Sequence, residues 1–339
     1  MPRRRGLGPF GPKDFLTPVL CFTHHAISSG ARPSVGAVVT RGAPVSDFLN
    51  AYSIQRWLEL CPQGYLEDTV YGHGATEHEP EPLVEDETLR EEAIRSTVQL
   101  VVGERAALAA SSGLVNAAPD YPSKRFLATQ TLDEARHVEI FTQRLYDLGV
   151  KKDDLESTID HFANPNLVKF AEVLLEKVDN KDFVAGVVGQ NIVLEGMAFT
   201  VFEMMEAGNR QANPKFAHTL AGTIADERRH VGFGENRIGS LIKQYPEKKP
   251  EIEQMQKEMA YHMLNTFSSS FRQGSAAMDA AQSMAAQSDG AGEGAEWQGV
   301  NMATAGPEEL QGALENTVIN EFKTRLARIG LEYQAPVMS

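Results

Sequence analysis

Two hexapeptides decide how this chain folds: Asp133-Glu134-Ala135-Arg136-His137-Val138 and Asp226-Glu227-Arg228-Arg229-His230-Val231. Each contains Glu-x-x-His, and no third copy of that pattern occurs in the 339 residues. A single copy is expected by chance about once in a chain of this length and ordinary composition. Two copies inside a shared Asp-Glu-x-Arg-His-Val frame are a different matter. Around the first, Leu127, Gln130, Glu134, His137, Phe141 and Leu145 recur at steps of three and four; around the second, Phe216, Leu220, Thr223, Glu227 and His230 do the same. That spacing marks one face of an α-helix, so each Glu and His lies on the stripe that turns toward a core. A carboxylate and an imidazole are costly there unless they are paired or bound to a metal ion.

A binuclear metal site in a helix bundle needs two further carboxylates, one from each remaining helix. Both are present. Ile94, Val101, Glu104 and Leu108 line one helical face, and Val188, Ile192, Glu195, Phe199 and Phe202 line another. Glu104 precedes Glu134 by thirty residues, and Glu195 precedes Glu227 by thirty-two. Two packed antiparallel helices and a short loop need about that much chain to bring side chains to the same depth. The ligand set read from the sequence is therefore Glu104, Glu134, His137, Glu195, Glu227 and His230. Four carboxylates balance two divalent cations, leaving the imidazoles neutral; without metal, several of the carboxylates would have to take up protons.

The rest of the chain frames this motif. Residues 1–85 read as an N-terminal arm, partly irregular, and the Gly- and Pro-rich stretch up to about residue 45 as a poorly ordered segment or a misassigned start. A targeting peptide fits less well, because Asp14 and Pro18 interrupt the apolar part. Residues 86–272 read as the dimetal helical bundle, with helix starts at Pro122-Ser123 and Asn213-Pro214. Residues 273–306, rich in Ala, Gly, Ser and Gln, read as a flexible linker or a marginal helix. Residues 307–330 read as a C-terminal helix, with Leu310, Leu314, Val318, Phe322 and Leu326 spaced to dock on the body or another subunit.

Composition narrows the function. Lys and Arg total 32 against 46 Asp and Glu, a formal net charge of −14, which argues against nucleic acid or an anionic membrane as partner. No apolar run comes near the roughly eighteen residues that a membrane span needs, so an integral membrane protein is not expected. Cys21 and Cys61 are too few for a disulfide framework and lack zinc-ligand spacing. The expectation is a cytoplasmic protein.

Residues from about 90 to 240 resemble the ferritin-like, non-haem diiron-carboxylate superfamily, which includes bacterial hydrocarbon monooxygenases, ribonucleotide reductase small subunits and N-oxygenases. The resemblance implies an all-α fold, a ferritin-like four-helix bundle with extra flanking helices. It implies that Asp133 orients His230 and Asp226 orients His137 by hydrogen bonds across the bundle, with Arg136 and Arg229 offsetting the buried aspartates. It also implies two iron ions (Fe/Fe or Mn/Fe) as cofactor and O2 as co-substrate.

Positions that separate the subfamilies return negatives. Where reductase small subunits carry a radical Tyr, four residues after the first ligand His, this chain has Phe141. The Val and Tyr that form a crosslink in the oxidases resembling those subunits correspond to Ala107 and Gln190. The seventh ligand of the N-oxygenases corresponds to Thr223, and the Thr of the hydrocarbon monooxygenases to Phe199. Ala107, Phe141, Phe199 and Thr223 are thus the candidates for a substrate pocket, although Phe141, Phe199 and Phe202 read more readily as core residues than as substrate contacts. The small residues Ala106, Ala107, Ala109, Ala110 and Ser111 either leave room for substrate or let helices approach closely. The expected activity is an O2-dependent oxygenase that hydroxylates or N-oxygenates a small organic molecule. Its electrons would come from an external donor such as a ferredoxin or a flavin reductase, and the expected assembly is a homodimer. A small-subunit-like oxidase and a ferroxidase or iron-storage protein are the alternatives.

Overall fold

A helix of 31 residues, Glu87–Ala117 (α2), starts where the Asp86 carboxylate accepts the Leu89 N–H, and it carries Glu104 at its middle. It follows a single helical turn, Glu81–Glu85 (α1). Three residues later Asp120 caps Tyr121–Asp147 (α3), with Pro122 in the first turn where a missing N–H costs nothing. So short a connection folds α3 back along α2. The computed structural model describes residues 76–285, 296–301 and 304–334. The expectations for the arm up to residue 75, including Cys21 and Cys61, lie outside the described residues.

The chain continues through Leu155–Phe162 (α4), Pro165–Asp179 (α5) and a short turn, Phe183–Val187 (α6). Val188–Leu194 is a π-helical segment, followed directly by Glu195–Asn209 (α7). Asn213 then caps Pro214–Gln244 (α8) through the Phe216 N–H, which returns along α7. Lys249–Ala285 (α9) packs on α5 and the π segment, and Pro307–Arg328 (α10) packs on α7 and α9. Among the described residues the strands are Glu296–Trp297 (β1) and Val300–Asn301 (β2), one antiparallel pair. The architecture is all-α and ferritin-like, with flanking helices.

One open expectation is resolved and another changes. Residues 273–285 take the helical alternative, because α9 runs through Ala285; the Ala, Met and Gln that made the stretch look featureless are all good helix formers. One stretch, Phe183–Asn209, is long and apolar enough by length and composition to cross a membrane, although the sequence reading found none. It crosses the protein core instead, with 83% of its most apolar window buried. The C-terminal helix sits as its pattern implies: Leu310, Leu314, Val318, Phe322 and Leu326 are all buried.

Two apolar clusters make up the core. One gathers Leu114, Phe126, Leu127, Phe170, Leu174, Ile192 and Phe233; the other gathers Val101, Phe141, Leu145, Phe202, Phe216 and Leu220. Along each of four helices the chain passes from one cluster to the other at the same level: between Val101 and Ala107, Leu127 and Ile140, Leu194 and Phe199, and Ile224 and Phe233. The buried Glu and His residues occupy that level.

Candidate metal centre

Helix α2 supplies Glu104, α3 supplies Glu134 and His137, α7 supplies Glu195 as its first residue, and α8 supplies Glu227 and His230. All six side chains are buried, and the structure brings them together. His137 Nδ1 stands 3.4 Å from Glu104 Oε2, 3.4 Å from Glu134 Oε2 and 3.4 Å from Glu227 Oε1. His230 Nδ1 stands 3.3 Å from Glu134 Oε1, 3.4 Å from Glu227 Oε2 and 3.9 Å from Glu195 Oε1. Glu134 and Glu227 therefore offer one oxygen toward each imidazole. Glu104 and His137 stand on one side, Glu195 and His230 on the other. Adjacent ligands of an octahedral cation with bonds of about 2.1 Å lie about 3 Å apart, close to these separations.

The donor atoms pass a second test of fit. Each histidine spends Nε2 on an aspartate from the opposite helix: His137 on Asp226 at 3.3 Å, and His230 on Asp133 at 3.2 Å. An Nε2–H donated to a carboxylate leaves the Nδ1 lone pair pointing inward. Both Nδ1 atoms, Glu134 Oε2 and Glu227 Oε2 are buried without a hydrogen bond. Buried polar atoms that converge in this way without a hydrogen bond fit a pair of cations better than they fit any structural role. Arg136 contacts Asp226 closely and Asp133 at 3.2 Å, while Arg229 contacts Asp133 at 3.0 Å and also Asp226. Two guanidinium groups and two carboxylates thus form a neutral crossed quartet that holds α3 against α8.

Protonation without cations follows the same geometry. Burial pushes the Glu104 carboxyl up to about 8, despite the opposing pull of His137. Burial, reinforced by Glu227, holds Glu195 well above the ordinary carboxylate range. Glu227 goes the other way: burial opposes its charge, but His230 and His137 outweigh it and hold the group at about 2. For His137 and His230, burial works against the imidazolium, and the surrounding carboxylates overcome it and raise both. Asp226 is likewise lowered in spite of burial, by His137, Arg136 and Arg229. Protons stand where cations would.

A set of amides has a role that sequence reasoning missed: Gln130 stands there on the ligand face and Gln190 at a crosslink position, neither linked to Glu195, and Asn191 is not singled out. Gln130 Nε2 donates to Glu195 Oε1 at 2.6 Å and to Glu134 Oε1 at 3.2 Å. Gln190 Nε2 lies 3.1 Å from the Ala107 carbonyl, 3.2 Å from Glu195 Oε1 and 3.4 Å from Glu134 Oε1. Asn191 Nδ2 donates to Glu195 Oε2 at 2.9 Å and to Gln130 Oε1 at 3.0 Å. The signal for them was the pair Gln190-Asn191 inside the otherwise apolar run Val187–Leu194.

A cavity of about 270 Å³ opens beside the carboxylates. Its wall is almost wholly apolar, with Leu100, Gly103 and Ala107 from α2, Ala198, Val201, Phe202, Met204 and Met205 from α7, Leu167 from α5, and Met263 and Phe267 from α9. Glu104, Glu195 and Glu227 reach it directly. Of the four pocket candidates, only Ala107 lines this space. Phe141 turns into the core against Phe202, with ring centroids 6.4 Å apart. Phe199 packs beneath the guanidinium groups of Arg325 and Arg228. The Thr223 hydroxyl is taken by the Thr219 carbonyl one turn back, at 3.2 Å. Ala106, Ala110 and Ser111 are buried and Ala109 is exposed, so most of the small-residue run serves packing.

No family model and no curated protein matches this sequence. Solved structures do match its fold. One is an R2-like ligand-binding oxidase variant with an aerobically reconstituted Mn/Fe cofactor, at a TM-score of 0.66 and 16% identity, covering 88% of this chain and 98% of that one. Another is an R2-like ligand-binding oxidase with an aerobically reconstituted metal cofactor after photoconversion, at 0.66 and 16%, covering 90% and 99%. A variant with an anaerobically reconstituted Mn/Fe cofactor aligns at 0.66 and 17%, covering 88% and 97%. The fold of this chain is the ferritin-like fold of the R2-like ligand-binding oxidases.

Proposed function

We propose that this protein is an O2-dependent dimetal oxygenase that hydroxylates a small apolar organic molecule held in the cavity between α2, α7 and α9. The observation that carries the reading is the six-residue cluster, with its unpaired inward donor atoms, opening onto an apolar space through Glu104, Glu195 and Glu227. An iron pair (Fe/Fe or Mn/Fe) fits the imidazole and carboxylate donors, and it would supply the capacity to reduce O2 and oxidise a neighbouring C–H bond. Glu134 and Glu227 would bridge the two positions. Glu104 with His137, and Glu195 with His230, would complete them. Asp133 and Asp226 fix the imidazole tautomers, and the apolar wall keeps water from the reacting centre and orients the substrate.

The similar structures are R2-like ligand-binding oxidases with Mn/Fe or metal cofactors, which supports the same reading. An apolar cavity against three of the carboxylates favours an organic substrate over iron storage, and its predominantly apolar wall favours hydroxylation of a C–H bond over N-oxygenation of an amine. Electrons come from an external ferredoxin or flavin reductase. A cytoplasmic location and a homodimer complete the proposal.

The test is metal content per chain, with Glu104→Ala and Glu227→Ala alongside, followed by O2 consumption with a chemical reductant and a panel of apolar substrates. About two metal ions per chain, reduced in both variants, and turnover that Ala107→Phe suppresses while metal is retained, are the expected results. A protein that refuses iron added anaerobically would end the enzyme reading.

A further inference from the structure

The two halves of the site differ in what holds their terminal carboxylates. Among the described residues Glu104 receives no side-chain amide. Glu195 receives three: Gln130 at 2.6 Å and Gln190 at 3.2 Å on Oε1, and Asn191 at 2.9 Å on Oε2. Both of its oxygens are engaged, and Oε1 stands 3.9 Å from His230 Nδ1, whereas Glu104 Oε2 stands 3.4 Å from His137 Nδ1.

The backbone is built to place these amides. In a regular α-helix, residues five apart point about 140° away from each other, so Gln190 and Glu195 could not share a face. The wider π turn over Val188–Leu194 brings position i back over position i+5 and stacks the two. Asn191 needs room as well, and Gly234 on α8 provides it: a Cβ there would meet the Asn191 Cβ at 2.4 Å. Gln190 Oε1 and Asn191 Oδ1 are buried without hydrogen-bond partners. These side chains therefore leave their own acceptors unsatisfied while their N–H groups face Glu195, so the carboxylate dictates their orientation.

We infer that Gln130, Gln190 and Asn191 form an amide clamp that makes the two metal positions unequal. The clamp competes with a cation for the Glu195 oxygens. The position of Glu104 and His137 therefore fills first, and the position of Glu195 and His230 fills second, when Glu195 exchanges amide bonds for metal. These three are positioning residues acting through Glu195, with Gln130 and Gln190 also reaching Glu134 Oε1, the oxygen that faces His230. The inference rests on the two-metal reading proposed above.

Anaerobic titration of the metal-free protein with Co(II), followed by calorimetry and by the visible absorption bands of the bound ion, separates the two. Two binding steps at least tenfold apart in affinity are expected, the tighter abolished by Glu104→Gln and the weaker by Glu195→Gln. Asn191→Leu and Gln190→Met keep side-chain size and remove donors. In each, the second step should tighten at least threefold, with its absorption band shifted, while the first stays within a factor of two. Two steps of equal affinity in the unaltered protein, or a second step unchanged or weakened in the clamp variants, would overturn the clamp and leave the dimetal reading standing. If a clamp variant does not fold, the order of filling still tests the clamp: a tighter step abolished by Glu195→Gln instead of Glu104→Gln would overturn it. No cobalt bound at all would remove both.

Discussion

The Glu104–Glu134–His137 half and the Glu195–Glu227–His230 half carry nearly the same residues, yet the chain builds them differently. In the first half an unbroken α-helix carries Glu104 at its middle. In the second, Glu195 is the first residue after a π turn, with two amides of that turn folded over it. The hexapeptides themselves are treated alike, since Asp133 and Asp226 each reach across to the other's histidine. The duplicated motif thus fixes the donor set and its pairing. Asymmetry enters through the residues just before the third glutamate and through Gln130, four residues before the second.

The largest effects should come from the carboxylates that the two halves share. Glu134 and Glu227 each present one oxygen toward each imidazole. Glu134→Ala and Glu227→Ala should therefore lose both ions, whereas Glu104→Ala and Glu195→Ala should each lose one. Metal stoichiometry after gel filtration measures this directly. A bridging variant that kept one tightly held ion would show that the two positions do not share those carboxylates.

Acidity offers a second way to compare the halves, in the metal-free protein. Unfolded, Glu104 ionises near its ordinary value of 4.5; folded, burial keeps it protonated up to about 8. Its contribution to stability is full below 4.5 and is lost as pH rises toward 8. Glu195 and both histidines are raised as well and act in the same direction. Glu227, held at about 2, does the reverse: its contribution is present above 4.5 and lost as pH falls toward 2. Thermal melting of the metal-free protein should therefore drop by several degrees between pH 5 and about 8, and bound cations, taking the place of the protons, should abolish the drop. Glu104→Gln, which keeps the neutral form, should flatten the slope from the first half, and Glu195→Gln that from the second. A slope unchanged in both variants would mean that neither carboxyl holds a proton in the fold.

How much of this was legible in the sequence follows from periodicity. Glu104, Glu134, His137, Glu227 and His230 lie on regular α-helices, where steps of three and four give the facing correctly. Glu195 was found the same way, because the pattern through Ile192, Glu195 and Phe199 survives the junction. Gln190 corresponds by resemblance to a crosslink position, but its contact with Glu195 could not be read from periodicity, since only a π turn aligns residues five apart. The cavity was hidden for another reason. Its wall joins α2 and α7 to Met263 and Phe267 of α9, more than sixty residues beyond Ala198, and no local pattern couples them. Phe141 and Phe199 stand near the ligands in sequence, but aromatic rings beside such a level fill the adjoining apolar cluster as readily as a pocket.

The smallest effects should come from glycine, and they separate the halves by sign. Gly234 lets Asn191 and the π turn sit against α8, and an added Cβ there would meet Asn191 and, at 3.2 Å, Ile192 Cδ1. Gly234→Ala should destabilise by about 1–3 kcal/mol, the usual effect of overfilling a packed contact. By pushing Asn191 away from Glu195 it should also tighten the second cobalt step. Gly103 occupies the interior of α2 one residue before Glu104, and nothing stands within 4 Å of a Cβ placed there. Gly103→Ala should stabilise by about 0.5–1 kcal/mol through helix propensity alone, with the first cobalt step unchanged. Chemical denaturation of the two variants side by side checks both signs. If Gly234→Ala proved neutral, the π turn would have room to move away from α8, and the asymmetry of the site would have to come from the amide donors themselves and not from how tightly the backbone holds them.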